Sequence, residues 1–210
     1  MNSEKPAALA PGIAPPQRIE LGELLLRRWQ PEDLVPRFEA ITASFEHLHP
    51  WMDWLTEPMT LERQRDFGDA MATSWPSPDG SCNYGIFDVD GAVLGAIGLH
   101  DRVGPHTLEI GYWCHIAHTG RGVITRSADA LTRIALALPG IEHVEIRCDE
   151  ADIRSAAVPR RLGYRLDRVE PREVRAPGES GRGMFWIKDG QGPDQFPSSE
   201  SPLSVPAHSS

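Results

Sequence analysis

The stretch from His106 to Leu138, HTLEIGYWCHIAHTGRGVITRSADALTRIALAL, limits what this chain can fold into more than any other. Leu108, Ile110 and Tyr112 alternate with Thr107, Glu109 and Gly111, the period of two that marks a strand. Thr119-Gly120-Arg121-Gly122 then reads as a turn. From Val123 the period lengthens: Ser127/Ala128, Leu131, Ile134/Ala135 and Leu138 recur at helical spacing, with Arg126, Asp129 and Arg133 on the other face. Pro139-Gly140 stops the helix. A strand, a glycine turn and a helix in direct succession require a mixed α and β fold.

A glycine turn feeding a helix is also a site for anions. The N–H groups of the first helical turn have no partner inside the helix, and the dipole favours negative charge there. Gly120 and Gly122 would let a phosphate come close to the backbone, and Arg121 adds a cation. A tight strand-to-helix turn without a ligand accounts for the same residues equally well.

The segments EIGYW and TGRGVIT together resemble the acyl-CoA-binding core of the GNAT N-acyltransferase family, and most of all its ribosomal-protein N-terminal acetyltransferases. The family pattern Gln/Arg-x-x-Gly-x-Gly/Ala falls on Thr119, Gly120, Arg121, Gly122, Val123 and Ile124, with Thr119 and Ile124 departing from it. A second motif, from Asp152 through Ser155 and Val158 to Arg161-Leu162-Gly163-Tyr164, resembles that subgroup's Asn-x-x-Ser-x-x-Val-x-x-Lys-Leu-Gly-Phe. Asp152 stands for Asn and Arg161 for Lys. The likeness runs from about Leu21 to Lys188.

The resemblance implies an α+β fold: a mixed, mostly antiparallel twisted sheet of about six to seven strands, flanked by about four helices. It implies acyl-CoA as co-substrate, held at its diphosphate by Thr119 to Ile124 and along its pantetheine arm by the backbone of Trp113, Cys114, His115 and Ile116. Asp152 and Ser155 would contact CoA as well. Transfer to an amine would be direct, in a ternary complex. Acetyl-CoA is the default donor; succinyl-CoA is the alternative, and would need arginines near the thioester. The acceptor would be a protein N-terminus, a lysine or a small amine, and a homodimer is left open. A non-catalytic acyl-CoA sensor on the same fold is the competing class.

Amine acylation needs a proton acceptor for the amine and a proton donor for the departing thiolate. Glu109, on the polar face of its strand, is the candidate base. The same residue is equally well read as the ion-pair partner of a neighbour such as Arg147. Ser155 is the candidate donor, or else an ordinary first-turn residue behind an Asp152 N-cap. The loop LHPWMDW carries Trp51 and Trp54. Both rings can pack on the sheet, or, as the resemblance implies, wall the acceptor pocket.

Composition excludes several other classes. A formal net charge of -9 argues against duplex nucleic acid and leaves room for a basic protein or amine substrate. No apolar run reaches the length of a membrane span, and MNSEKPAALAPG is not a secretory signal. Three scattered cysteines, Cys82, Cys114 and Cys148, point to a reducing cytoplasm. The close histidine pairs, His47/His49 and His115/His118, lack any metal-site motif, so no metal is expected. One acyltransferase domain is expected over 18–189, between a flexible N-terminal tail over 1–17 and a disordered tail over 190–210, both rich in Pro with Ala or Ser. Its elements begin with a strand over Leu21–Trp29 and a helix from Pro31 towards His47. A helix over Thr60–Trp75 follows, then strands over Asn83–Asp88 and Ala92–Leu99 joined at Asp90-Gly91. Past the helix that ends at Leu138 come a strand at His143–Cys148, a helix at Asp152–Leu162 and a last hairpin.

Overall fold

A computed structural model of the chain describes residues 7–190. The tail expected over 190–210 lies, but for Gly190, outside the described residues. Eight strands form one sheet in the order β1-β2-β3-β4-β5-β6-β8-β7. They are β1 (Arg18–Leu21), β2 (Leu24–Arg28), β3 (Ser81–Phe87), β4 (Val93–Gly104), β5 (Thr107–Cys114), β6 (His143–Asp149), β7 (Arg165–Pro171) and β8 (Arg182–Asp189). All neighbours are antiparallel except β5 and β6, which run parallel. That pair is joined by the one long helix crossover, α4 (Val123–Ala137), since parallel neighbours cannot be joined by a tight turn.

Strand alternation assigns the two faces of the sheet. Leu108, Ile110, Tyr84, Ile86, Val144 and Ile146 point to one side and meet Val123, Ala128, Leu131 and Ala135 of α4 in the main core. Ala156 and Val158 of α5 (Ile153–Arg161) join them. The other face carries Trp29, Phe87, Ala96 and Trp113, covered by Ala40 of α1 (Leu34–Ala43). A third cluster, Ile41, Leu48 and Leu55, continues this layer through α2 (Phe45–Leu48) towards α3 (Leu61–Ala72). The helices thus sandwich the sheet, as the α+β expectation required. Among the described residues no helix is long and apolar enough to cross a membrane.

Several boundaries differ from the sequence expectation. The first strand is the second arm of a hairpin: Gly22, at φ 72°, reverses the chain and adds β1 before β2. The helix expected from Pro31 to His47 breaks at Ser44, whose hydroxyl donates to the Ala40 carbonyl (2.7 Å) and accepts the Ile116 N–H (3.0 Å). The second helix is shorter than expected, with Thr60 Oγ1 capping the Arg63 N–H at 3.2 Å. Of the segment expected to be a flexible tail, residues 7–17 are described, and they are tied to the domain. The N–H groups of Ala8 and Leu9 donate to the two oxygens of Asp101 (2.8 and 2.9 Å). The carbonyls of Pro15 and Pro16 accept from Trp75 Nε1 (2.7 Å) and Tyr84 Oη (2.8 Å). Proline has no N–H to satisfy, so its carbonyl can serve a buried aromatic donor without leaving a second orphan.

Candidate active site

Pairing between β5 and β6 stops at Ile110↔Ile146, while β5 stays paired with β4 up to Cys114↔Gly95. Beyond Ile110 the sheet is therefore open along one edge of β5. The ladder phase decides which groups face the gap. His115 N–H donates to the Leu94 carbonyl (2.9 Å), so His115, Trp113 and Gly111 spend their backbone groups on β4. Tyr112 and Cys114, in the alternate phase, turn theirs to the open edge. The N–H of Ile116 is taken by Ser44. Of the four residues expected to pair with a pantetheine arm, Cys114 alone has this orientation, and Tyr112 joins it.

At the mouth of the gap lies the glycine turn. Gly120 and Gly122 adopt φ 74° and 75°, values that other residues reach only with strain, and Gly122 is the N-cap of α4. A Cβ at either position would meet nothing within 4 Å, so the glycines are not there to relieve crowding by the protein. The first bond of the helix runs from Arg126 N–H to the Gly122 carbonyl (2.9 Å), which leaves the preceding N–H groups directed outward. Arg121 is exposed beside them, and Thr119 Oγ1 is turned back to the Ile116 carbonyl (3.1 Å).

The opposite face of the sheet carries a cleft of about 940 Å³ that reaches the same gap. Trp51, Trp54, Asp53 and Met59 line it from the loop before α3; His100, Arg102, Glu109 and Gly111 line its floor. A donor held by the glycine turn and an acceptor in this cleft would meet where β5 and β6 part.

The family model for the acetyltransferase (GNAT) domain matches residues 23–165, more than half of the chain. The chain belongs to the GNAT acetyltransferase family. It is an acyl-CoA-dependent N-acyltransferase. Over 146 residues it is 27% identical to Bacillus subtilis (strain 168) YdaF, named as a candidate ribosomal N-acetyltransferase, covering 67% of this chain and 77% of that one. Among solved structures it resembles RimL, a ribosomal L7/L12 alpha-N-protein acetyltransferase bound to coenzyme A (TM-score 0.73, 19% identity, 82% of this chain and 97% of that chain). It also resembles the microcin C7 self-immunity acetyltransferase MccE bound to acetyl-CoA and AMP (TM-score 0.74, 18% identity, 83% and 97%). At such identities these two establish the shared fold.

In this GNAT chain Ser155 lies in the first turn of α5 and lines the cleft together with Tyr112. Asp152 caps α5 by accepting the Ser155 N–H at 3.0 Å. Burial raises the Asp152 carboxyl above its ordinary range, against the opposing pull of that bond and of His47. Ser155 Oγ donates to Tyr112 Oη (3.2 Å), and Tyr112 Oη donates to the Ser155 carbonyl (3.0 Å). Tyr112, read in the sequence only as an alternating apolar position, is thus the hydroxyl partner of the candidate donor. The signal available was a phenol placed last in a run of aliphatic residues, where an oxygen needs a partner.

Glu109 is not a free carboxylate. Arg102 grips both of its oxygens, Nε to Oε2 at 3.0 Å and Nη2 to Oε1 at 2.5 Å, and Arg147 Nε lies 3.5 Å from Oε2. Burial alone would raise its pKa. The hydrogen bond and charge of Arg102, then Arg147 and His100, overcome this and hold it below the ordinary carboxylate value. Both oxygens of this carboxylate are engaged by arginines, and the geometry favours the ion-pair reading that the sequence left open. The ladder continues outward, where Arg147 also binds Glu145 and Arg168 approaches Glu145 at 3.9 Å.

Trp54 is 37% exposed, Trp51 is half-buried, and neither belongs to a core cluster; Leu55, fully buried between them and α1, anchors the loop. The loop is tied across the cleft by Gly178 N–H, which donates to the Pro50 carbonyl (2.8 Å).

Proposed function

We propose that the chain transfers an acetyl group from acetyl-CoA to the α-amine of a protein N-terminus. The observation that carries this is the two-sided gap beyond Ile110: the N-terminus of α4 with its glycine turn on one face and a long open cleft on the other. A cleft of this size admits an extended peptide end. The likeness to YdaF and RimL points to the same acceptor class. The succinyl alternative would need a free guanidinium beside the thioester. Where β5 and β6 part, Arg102 and Arg147 are engaged by Glu109 and Glu145; Arg63, whose guanidinium donates to the Trp54 carbonyl, also lines the cleft, so turnover with each donor decides between acetyl and succinyl.

Within this reading Gly120, Arg121, Gly122, Val123 and Ile124 bind the diphosphate, and the open-edge N–H of Cys114 or Tyr112 polarises the thioester carbonyl. The test is a turnover panel. Peptides beginning with Ala or Ser, an N-blocked lysine peptide and spermidine are each offered with acetyl-CoA and succinyl-CoA. Turnover confined to the free N-terminal peptides with acetyl-CoA is expected; turnover of spermidine or the lysine peptide alone refutes the acceptor assignment.

Two substitutions probe the walls. Trp54→Ala should raise KM for the peptide up to about tenfold while acetyl-CoA affinity stays within twofold, since one aromatic contact is worth about 0.5–1.5 kcal/mol. Were the ring structural, melting would instead record a loss of about 3–5 kcal/mol, and that result would remove Trp54 from the pocket. Ser155→Ala should lower kcat about tenfold, less than the roughly 10²–10⁴ typical of acid–base groups. The departing thiol has a pKa of only about 8.5 and leaves readily unaided. Raising the pH should not restore the rate; restoration would deny Ser155 the donor role.

A further inference from the structure

We propose that His100 is the general base that takes the proton from the acceptor amine, and that Ser81 and Asp79 pass that proton to solvent. This rests on the N-acyltransferase reading and deepens it.

The first observation is the room kept for the imidazole. A Cβ added at Gly98 would lie 3.0 Å from His100 Nε2, and one at Gly111 would lie 3.1 Å from it. These two glycines face each other across β4 and β5. Two adjacent strands thus give up their side chains beneath one ring edge. Gly111 is also the first β5 residue past the last pair with β6. Nε2 therefore stands over the point where the sheet opens and where the thioester would lie.

The second observation is the other side of the ring. His100 Nδ1 is 2.9 Å from Ser81 Oγ. Asp79 accepts from Ser77 Oγ (2.6 Å) and from the Ser81 N–H (3.0 Å), and interacts with the Ser81 side chain as well. We assign the tautomer in which Nδ1 donates to Ser81 Oγ and Nε2 carries the lone pair, the one that leaves the Ser81 hydroxyl free to donate towards Asp79. Nε2 makes no hydrogen bond among the described residues, and the ring lines the acceptor cleft. Asp79 is exposed, so the chain of groups ends in water.

Charged groups face the imidazole from each neighbour: Arg102 on its own strand, Glu109 on β5 and Asp79 before β3. Burial, aided by Arg102 and opposed by Glu109 and Asp79, lowers the ring to about 4, so it is neutral at pH 7, and its advantage over Glu109 lies in an Nε2 that no cation engages rather than in basicity. In the step, the amine nitrogen bonds to the thioester carbon and becomes a much stronger acid. Its proton passes to Nε2 while the Nδ1 proton moves to Ser81 and on through Asp79 to water. The C–S bond breaks, its electron pair going to sulfur, which is protonated from the Ser155 side.

The experiment uses the full chain with acetyl-CoA and the Ala- or Ser-terminal peptide. His100→Ala should lower kcat by about 10²–10⁴-fold, with acetyl-CoA affinity by calorimetry and the melting temperature near wild type. Added imidazole should restore at least a tenfold gain that grows with its concentration. His100→Gln, which keeps a hydrogen bond to Ser81 but no base, should be as slow as His100→Ala and unresponsive to imidazole. A folded His100→Ala variant within threefold of wild-type kcat, or one that binds acetyl-CoA normally and gains nothing from imidazole, overturns the proposal. A wild-type protein that acylates none of the amines overturns the transferase reading instead, and this one with it.

Discussion

Gly122→Glu is expected to weaken acetyl-CoA binding by roughly 10²–10³-fold while leaving a folded protein. Two effects separate cleanly at this position. The first is backbone strain: φ is 75°, and a side chain there costs on the order of 1–2 kcal/mol. No protein atom lies within 4 Å of the added Cβ, so no clash is added to that strain. The second is electrostatic. The new carboxylate occupies the place where outward N–H groups of α4 would meet a diphosphate. Like charges about 4 Å apart near a protein surface repel by up to about 4 kcal/mol. Gly122→Ala carries the strain without the charge and should melt like Gly122→Glu while losing far less affinity. Calorimetry with free CoA on both variants checks this. Equal affinities for Gly122→Glu and wild type would mean that the diphosphate sits elsewhere.

That turn was legible because its signal is local. A change of period from two to 3.6, with glycines at the junction, can be read without knowing any neighbour. The parts that escaped depend on contacts distant in sequence. β4 continues to Gly104, five residues past Leu99, where the sequence expectation ended. The reason is that His100 and Arg102 point into a cleft, so the apolar signal of a strand fades while its alternation persists. Ser44 breaks a helix because the Ile116 N–H, in a remote loop, needs its oxygen. The N-terminal segment looked solvent-bound until Asp101, Trp75 and Tyr84 supplied partners for its backbone. The phase of β5, which exchanges Trp113 for Tyr112 at the open edge, is a property of the ladder with β4 and is invisible in β5 alone.

The ion pair in the cleft floor gives the sharpest stability prediction. Arg102→Ala should destabilise the fold by about 1–3 kcal/mol. Fully buried pairs lose about 3–5 kcal/mol when one partner goes, but the Arg102 side chain is 58% exposed, so water will screen part of what it leaves behind. The residual cost arises because Glu109 stays buried, with Arg147 at 3.5 Å as its remaining close cation. The pH dependence carries the diagnosis. In the wild type Glu109 titrates below its unfolded value of about 4.3. Its contribution is therefore complete above that value and is lost as pH falls through the folded pKa. Without Arg102, burial dominates and the carboxyl moves upward, so acid protonates it and relieves the strain of an uncompensated charge. The stability gap between wild type and Arg102→Ala should be widest near pH 7 and narrow towards pH 4, measured by urea unfolding at several pH values. A gap independent of pH would show that Arg102 contributes only packing. Glu109→Gln completes the comparison. It removes the charge but keeps the shape, so it should cost less stability than Arg102→Ala and leave kcat within about tenfold of wild type. A fall of roughly 10²–10⁴-fold would return the role of base to Glu109, since a carboxylate that only orients Arg102 has no proton of the substrate to accept.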